Sequence, residues 1–404
     1  MSGPAGDRGL AALWPLDRAV AFLNHGSFGA CPAEVLRHQA GLRDQMEAEP
    51  VRFLSRELDD RLDEARGPVA RFLGADPADL GFVTNATSGV NAVLRSLALA
   101  PGDELLVTDH AYGACKNALD YVSSRLGARV VPVGVPFPVA SPDVVVERVL
   151  AAVTPRTRLA LLDHVTSPTA LVLPIERLIA ELSRRGVDVL VDGAHAPGML
   201  PLDLSALGAA YYAGNCHKWL CAPKGSAFLW VRRDRRDAVR PLTISHGATA
   251  VRPERSRFHL EFDWTGTSDP TAWLTVPKAI EYVGSLVPGG WPEVMRRNRQ
   301  RALEARRLVA DAAGTALPCP DEMVGSIASV LLPDGPPAQI GWRRPDPIQG
   351  RLFDGWGIEV PVMSWPAPPR RLLRVSAQLY NARDQYARLA EAVSKELATE
   401  RSAR

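Results

Sequence analysis

Strand-like and helix-like segments alternate through the middle of this 404-residue sequence, and this alternation restricts the possible folds more than any other feature. Short apolar runs typical of buried strands are separated by stretches with the apolar period of helices. Successive parallel strands need a crossover connection, usually a helix, so the order predicts an α/β fold with a mostly parallel central sheet covered on both faces. The strands are predicted at 80–83, 104–108, 129–133, 159–162 and 187–192, and helices after the third and fourth at 142–153 and 174–185.

The segments that flank this alternation predict the remaining elements. Two helices are expected before it, at about 32–49 and 57–73, and a long charged loop after it, at about 231–265. Long loops of this kind in compact domains are often functional. The elements expected toward the C-terminus are helices at about 270–283, 291–313, 347–356 and from 384 onward, and strands at 327–332, 358–362 and 372–376.

With 404 residues the chain is long enough for one large and one smaller domain. A flexible N-terminus is expected over residues 1–20, followed by a large domain over 21–285. A small C-terminal α+β domain is expected over 286–404. Residues 21–50 are expected to contribute also to the small domain and to the active-site entrance.

Polar residues follow predicted strands at five places. In an open α/β sheet, ligands bind at the edge where the carboxyl ends of the strands lie. The first polar group contains small hydroxyl side chains at a strand-to-helix junction, which suit a phosphate but also fit an ordinary helix cap. The five groups lie at 84–88, 109–112, 163–167, 192–195 and 215–218. Together they predict one ligand site along a single edge of the sheet.

Charge and cysteine content argue against several other kinds of protein. A net charge of +2 gives no electrostatic reason to expect a nucleic-acid partner or a membrane surface. The five cysteines lack the paired spacing of a disulfide framework or of a metal site, so neither is expected. The first 20 residues do not resemble a signal peptide, and no apolar run is long enough to span a bilayer. The sequence therefore predicts a soluble, cytoplasmic protein.

Lys218 is the candidate reactive residue. It lies in an apolar and aromatic stretch, between His217 and Trp219. Burial among such side chains lowers the pKa of an ammonium group and leaves more of it as free amine. A free amine condenses with an aldehyde, which indicates pyridoxal phosphate (PLP) as the bound group. On its own, the stretch is weak evidence, because a lone lysine that follows a strand is usually a solvated surface residue.

Four short motifs carry a family resemblance through their order and spacing. They are Phe22-Leu-Asn-His-Gly-Ser27, Val191-Asp192-Gly-Ala-His195-Ala, Gly214-Asn-Cys-His217-Lys218-Trp-Leu and Leu373-Arg374-Val-Ser376-Ala-Gln-Leu-Tyr380-Asn381. With these motifs the chain resembles the class V aminotransferase family of fold-type I PLP-dependent enzymes, over about residues 20–390. Within that family it is most similar to the isopenicillin N epimerase-like branch.

The resemblance implies a catalytic set. Lys218 is expected to form the Schiff base with PLP and then, once the substrate has released it, to move protons at Cα. Asp192 is expected to pair with the pyridine nitrogen and keep it protonated, so that the ring withdraws electrons. Arg374 is expected to bind the substrate α-carboxylate through its planar fork. The residues expected to hold the phosphate are Ala86, Thr87, Ser88, Asn215 and His217.

Further cofactor contacts follow from the same resemblance. His195 and Ser167 match positions near the phenolic oxygen of the cofactor, where the family often has Gln or Asn. Tyr112 is expected to stack on the cofactor ring, because stacking places an aromatic face on the pyridine. His110 is the alternative for that role.

The resemblance also implies a partner subunit and a substrate entrance. Gly266 and Thr267 match a loop that, in relatives, reaches the phosphate of the partner subunit. The expected assembly is therefore a homodimer with shared active sites. Asn24 and His25 are expected to line the entrance for the amino-acid substrate.

Four PLP-dependent reactions stay open at this point: epimerisation at Cα, elimination with C–S cleavage, transamination, and sulfur abstraction. Sulfur abstraction needs a mobile cysteine thiolate before the arginine strand, and residues 321–374 contain no cysteine. Cys319 lies upstream of the expected loop, so desulfurase activity is not expected.

The branch resemblance favours an epimerase that acts on an amino acid or an amino-acid-containing metabolite. Lys218 would then serve one face of Cα, and Tyr112, His25 or a water molecule the other. A C–S lyase is the first alternative and an aminotransferase the second. A non-catalytic binding protein is the alternative of another class, and the joint presence of Lys218, Asp192 and Arg374 argues against it.

Overall fold

The computed structural model describes residues 9–335, 337 and 345–402. The strands, in chain order, are β1 (Ala21–Phe22), β2 (Leu80–Val83), β3 (Glu104–Thr108), β4 (Arg129–Val133), β5 (Thr157–Asp163), β6 (Asp188–Asp192), β7 (Tyr211–Asn215), β8 (Ala227–Val231), β9 (Ile327–Leu332), β10 (Ile358–Glu359), β11 (Val362–Ser364) and β12 (Arg371–Ser376). The helices are α1 (His25–Phe28), α2 (Ala33–Ala48), α3 (Leu58–Leu73), α4 (Ala86–Ser96), α5 (Gly113–Leu126), α6 (Pro142–Ala151), α7 (Ile175–Arg184), α8 (Leu204–Leu207), α9 (Arg257–Phe262), α10 (Thr271–Leu274), α11 (Val276–Ser285), α12 (Gly290–Ala313), α13 (Pro347–Trp356) and α14 (Arg383–Ser402). Within the described ranges, no helix combines the length and the apolar character needed to cross a bilayer.

Seven strands form the central sheet, in the order β2-β8-β7-β6-β5-β3-β4. The five strands from β7 to β4 are parallel, and β8 is antiparallel to both of its neighbours. Successive residues such as Leu105 and Leu106, or Leu161 and Leu162, enter different apolar clusters. Both faces of the sheet are therefore buried, as the near-continuous apolar strands predict. The predicted α/β fold with a mostly parallel sheet is confirmed.

A second, antiparallel sheet contains β11, β12 and β9 in that order, and its apolar cluster includes side chains from α12, α13 and α14. The sequence predicted one strand at 358–362, and this is wrong because the structure has two short strands in different sheets. Pro361 lies between them and has no N–H to continue a ladder. Its carbonyl instead accepts a hydrogen bond from the Arg374 N–H (3.1 Å). The domain boundaries stay predictions.

The N-terminal segment connects to this second sheet. β1 pairs with β10 in parallel, the Leu23 carbonyl accepts the Ser376 N–H (2.8 Å), and the Gly26 N–H donates to Ser376 Oγ (3.0 Å). These bonds hold the first family motif against β12. Residues 1–8 of the predicted flexible N-terminus lie outside the described residues. Trp14 is fully buried, so the segment around it is anchored to the fold.

The region 231–265 contains short helices, so the prediction of a long loop there is wrong. Ser256 caps α9 by accepting a backbone N–H three residues on (3.1 Å). Phe258 and Phe262, four residues apart, pack in the core, and this spacing was a helix signal within a charged stretch. The predicted helix at 270–283 is divided into α10 and α11.

Candidate active site

A cavity of about 480 Å³, called here the inner cavity, opens at the carboxyl edge of the parallel strands. All five polar groups predicted from the sequence contribute to its wall. Four of them follow β3, β5, β6 and β7, which end side by side, and the fifth follows β2, which is separated from β7 by β8. The predicted site residues that line it are Thr87, Ser88, Tyr112, Ser167, Asp192, His195, Asn215, His217 and Lys218. A second space of about 520 Å³, the outer chamber, shares Ser27, Phe28, Tyr112, Ser167 and Lys218 with it and extends to β10 and β11.

Lys218 follows β7 and lines both spaces. Burial lowers the pKa of its ammonium group to about 8, and the positive charge of Arg374 contributes in the same direction. A far larger fraction of free amine is therefore present at neutral pH than for an exposed lysine. This environment does not fit a solvated surface lysine.

His195 holds that amine through a defined ring nitrogen. Its Nδ1 accepts a hydrogen bond from the Trp219 indole N–H (3.3 Å), so the proton of the neutral ring is on Nε2. Nε2 lies 3.2 Å from Lys218 Nζ and donates to it when the lysine is a free amine, because an ammonium group has no acceptor. Burial, followed by the charges of Lys218 and Arg374, holds the pKa of His195 well below its usual value, which keeps the ring neutral. His195 is thus a hydrogen-bond donor at the place where a ligand would meet the lysine.

Asp192 is buried at the end of β6, and both of its carboxylate oxygens have partners. Oδ1 accepts the Ala194 N–H (3.1 Å), and Oδ2 accepts the thiol of Cys115 (3.0 Å). The next residue is Gly193, and a larger residue would not fit there because its Cβ would lie 2.0 Å from the Tyr212 ring. The carboxylate is therefore fixed in position before any ligand binds. The contact with Cys115 was missed by sequence reasoning, since it depends on how α5 packs on the sheet.

Asp163 is a second buried carboxyl group in the inner cavity, and sequence reasoning did not assign it a role. It stands directly opposite Asp192 in the register of β5 and β6. Its Oδ1 accepts the Tyr112 N–H (3.3 Å), while its Oδ2 is buried without a partner. Burial, and then the charge of Asp192, raises the pKa of Asp163 well above its usual value, which favours the protonated form of this carboxyl. The register between β5 and β6 could have indicated that Asp163 and Asp192 lie side by side.

Asp163→Asn is expected to stabilise the protein without cofactor at neutral pH. The folded-state pKa of Asp163 is raised, so the folded state binds more protons than the unfolded state and stability falls as the pH rises above about 4. The uncharged amide of asparagine does not titrate, so it removes this loss of stability at higher pH. The melting temperature of the variant should exceed that of the wild type by a few degrees at pH 7 and converge with it near pH 4. Asp120→Asn, at an exposed position of α5, is the control and should show no such pH-dependent gain. An equal gain at both pH values would contradict the protonated carboxyl.

The amino end of α4 forms the part of the inner cavity that suits a phosphate. Asn85 caps the helix by accepting the Ser88 N–H (2.8 Å), and Thr87 and Ser88 line the cavity. Helix amino ends attract anions through partial positive charge and free N–H groups. The Ala86 N–H, however, donates to Asn215 Oδ1 (2.8 Å). That N–H is already occupied, contrary to the phosphate contact predicted for Ala86.

Of the two candidates for stacking, only Tyr112 lines the inner cavity. It precedes α5 and is 45% exposed. His110 is buried elsewhere, with Nε2 bonded to the Val135 carbonyl (3.0 Å) and Nδ1 to Thr169 Oγ1 (2.6 Å). Both ring nitrogens of His110 are therefore occupied away from the cavity. The geometry favours Tyr112.

Arg374, on β12, is 4% exposed and lines the outer chamber. It donates from Nη1 to the Ser167 carbonyl (2.6 Å) and from Nη2 to Ser27 Oγ (2.9 Å). No carboxylate of the described residues forms an ion pair with it, and its Nε is buried without a partner. Burial lowers its pKa to about 10, so it stays charged at neutral pH. A buried cation without a counter-ion is costly, and an anionic group of a ligand would relieve that cost.

Three other predicted residues, His25, Asn24 and Thr267, do not line the inner cavity. His25 is fully buried behind Lys218, with Nε2 donating to the Lys218 carbonyl (3.0 Å) and Nδ1 bonded to the Tyr380 hydroxyl (2.8 Å). Its predicted place at the substrate entrance is therefore wrong, and it supports the lysine backbone instead. Asn24 does line the outer chamber. Thr267 is exposed at the surface, so its predicted contact with a partner subunit stays a prediction.

The residues of the inner cavity fit PLP. The amino end of α4 suits the phosphate, the amine of Lys218 suits the aldehyde, and the two carboxyl groups suit the ring nitrogen. The buried, unpartnered Oδ2 of Asp163 marks a position that a bound polar group would satisfy. The size of the cavity is also in the range of cofactor sites.

Comparison with known proteins agrees with this fit. The family model "Aminotransferase class-V" matches residues 30–340. The isopenicillin N epimerase of Amycolatopsis lactamdurans is 40% identical, with 94% of this chain and 96% of that protein aligned. A probable chloroplastic L-cysteine desulfhydrase of Arabidopsis thaliana is 33% identical, with 94% and 83% aligned.

Among solved structures, a lysine-to-alanine mutant of C-DES, with glycine covalently linked to its PLP cofactor, superposes with a TM-score of 0.80 at 21% sequence identity. The match covers 95% of this chain and 98% of that chain. At this identity the likeness shows the fold alone, which is fold type I. The sequence relatives and the family model extend over most of the chain and carry the family assignment. This chain is therefore a PLP-dependent enzyme that belongs to the class V aminotransferase family.

Proposed function

We propose that this enzyme is an epimerase of the isopenicillin N epimerase kind, acting at Cα of an amino acid or an amino-acid-containing metabolite. The observation that carries the proposal is the placement of Lys218, whose pKa is lowered to about 8, and an unpaired, buried Arg374 on the wall of one chamber. The first supplies a base and the second a carboxylate receptor, which together suit an α-amino acid. Two isopenicillin N epimerases, at 40% and 36% identity, support the choice of reaction.

Each residue has a proposed task. Bound PLP supplies an electron-withdrawing ring that acidifies the Cα–H bond. Arg374 holds the α-carboxylate, so that Cα lies near the amine of Lys218, which takes the proton. His195 provides a hydrogen-bond donor, Nε2, beside that amine. Asp192, with its neighbour Asp163, would bind the nitrogen of the cofactor ring.

Inversion needs a proton donor at the second face of Cα, and we assign that role to Tyr112. Its side chain lines both the inner cavity and the outer chamber. Burial raises its pKa, so the hydroxyl keeps its proton at neutral pH and acts as a donor. His25, considered from the sequence, is enclosed behind Lys218 and does not reach the chamber.

Tyr112→Phe should separate inversion from proton exchange. Phenylalanine keeps an aromatic face for the cofactor but removes the hydroxyl, so Lys218 can still exchange the Cα proton on its own face. In deuterated water the variant should incorporate label into unreacted substrate at a rate near that of the wild type. Formation of the opposite enantiomer should fall about 10²-fold. Unchanged inversion would assign Tyr112 to stacking alone.

A C–S lyase is the second candidate. L-Cysteine desulfhydrases of Oryza sativa and Arabidopsis thaliana, at 34% and 33% identity, favour it. The same Lys218 amine that takes the Cα proton would then assist departure of the sulfur. Sulfur abstraction is not proposed, because the partly buried Cys319 contacts Arg306 (3.5 Å) and burial raises its thiol pKa.

One incubation distinguishes these reactions. The PLP-loaded enzyme is mixed with isopenicillin N or with L-cysteine in deuterated water. Label at Cα together with loss of chirality supports epimerisation, whereas release of pyruvate and ammonia supports the lyase. Conversion of the cofactor to its pyridoxamine form would indicate transamination. No reaction with either compound would overturn both proposed activities.

We also propose that the enzyme is a homodimer in which Thr267 reaches the phosphate of the partner subunit. Gly266, before it, has a φ of 120°, which permits a turn that other residues rarely adopt. Thr267 is exposed in the single chain. Light scattering of the PLP-loaded protein should give twice the mass of one chain.

A further inference from the structure

A chain of hydrogen bonds joins Arg374 to the carboxylate of Glu359, which also lines the outer chamber. Arg374 Nη2 donates to Ser27 Oγ (2.9 Å), and the Ser27 hydroxyl donates to Asn24 Oδ1 (2.6 Å). Asn24 Nδ2 then donates to Glu359 Oε1 (3.1 Å). A guanidinium can only donate and a carboxylate can only accept, so the two ends fix the direction of every bond between them.

Glu359 is placed there by the strand pairing described above. It occupies the second position of β10, opposite Phe22 of β1, and the chain continues from Phe22 through Leu23 to Asn24. Within the described ranges no Lys, Arg or His approaches Glu359 closely enough to form an ion pair, and Asn24 supplies its hydrogen bond. Among the described residues, the partner of this carboxylate at the edge of the chamber is therefore the neutral amide of Asn24.

The wall of the outer chamber thus carries residues of opposite charge type. Lys218 and Arg374 are basic, Glu359 is acidic, and Gln349 and Ser364 line the same space. The side-chain oxygen of Gln349 accepts a hydrogen bond from the Val362 N–H (2.9 Å). This bond leaves Gln349 with fewer groups that could bind a ligand. A substrate whose α-carboxylate is held by Arg374 would have its side chain in the same chamber as Glu359.

We propose that Glu359 selects the substrate side chain, favouring one that ends in a cationic or hydrogen-bond-donating nitrogen over one that ends in a second carboxylate. This inference rests on the proposed function, because it takes Arg374 as the receptor for the α-carboxylate. A like charge brought close to Glu359 is repelled, and an ammonium group gains a charge-assisted hydrogen bond. The selection acts on binding and needs no change in the chemistry at Cα.

The test uses three amino acids with side chains of similar length: L-lysine, L-norleucine and L-2-aminoadipate. Their dissociation constants are measured by calorimetry with the PLP-loaded wild type, with Glu359→Gln, and with Glu281→Gln as a control. Glu281 is an exposed residue of α11 away from the chamber. We expect the wild type and the control to bind lysine about tenfold more tightly than norleucine, and aminoadipate more weakly than norleucine. Glu359→Gln should bring the three constants close together.

Deuterium exchange at Cα is followed in the same samples, so that the two proposals fail separately. Binding in the expected order without deuterium exchange at Cα would contradict the proposed reaction but would still support the role of Glu359. An identical ranking in the wild type and in Glu359→Gln, or no binding by any of the three, would overturn the role of Glu359.

Discussion

Replacement of Lys218 by alanine is expected to remove covalent attachment of PLP and to slow Cα proton exchange by about 10³-fold or more. The physical reason is that no other amine lies in the inner cavity described here. The visible absorbance of the bound cofactor should be lost or should shift to that of free PLP. Addition of methylamine to the variant should restore part of the exchange, since a small amine can occupy the vacated space.

Lys224→Ala is the matched control for that experiment. Lys224 is the nearest lysine along the chain, and it donates to the Gly29 carbonyl (3.0 Å) rather than lining the inner cavity. Its removal should leave both the absorbance and the exchange rate close to those of the wild type. Loss of the absorbance in Lys224→Ala, with its retention in Lys218→Ala, would reverse the assignment.

Arg374→Ala is expected to lower kcat/KM for carboxylate substrates by about 10²- to 10³-fold. Truncating one partner of a buried, hydrogen-bonded charge pair typically has an effect of this size. Arg374 also holds Ser167 and Ser27, so a structural loss has to be separated from a loss of recognition. The separation comes from comparing each amino acid with its methyl ester.

The wild type should prefer the free acid strongly, because only the acid offers an anion to Arg374. The variant should have nearly equal kcat/KM values for the acid and for its methyl ester. Arg374→Lys, which keeps a charge but not the planar fork, should recover part of the preference. A variant that still prefers the acid by the wild-type factor would show that the α-carboxylate binds elsewhere.

Much of the fold was predictable because the signal is local. The buried strands of the central sheet are apolar runs between helical periods, and a parallel sheet then brings their carboxyl ends to one edge. The polar groups that end β3, β5, β6 and β7 were therefore expected to meet, and they do. The lowered pKa of Lys218 was likewise predictable from its apolar and aromatic neighbours.

The parts that sequence reasoning missed depend on tertiary placement. Asp163 becomes significant only when β5 and β6 adopt the register that sets it opposite Asp192. Cys115 reaches Asp192 because of how α5 packs, and His25 is enclosed because Tyr380 and the Lys218 carbonyl bind both of its ring nitrogens. The domain boundaries, the homodimer and the cytoplasmic location stay predictions from the sequence.

The most direct measurement is to fix the cofactor in place and find which residue carries it. The chain has only five lysines, Lys116, Lys218, Lys224, Lys278 and Lys395, so each can be resolved by peptide mapping. The PLP-loaded enzyme is reduced with borohydride, digested and analysed by mass spectrometry. We predict one phosphopyridoxyl group per chain, on the peptide that contains Lys218. Label on any of the other four lysines, or no stable label at all, would contradict the account.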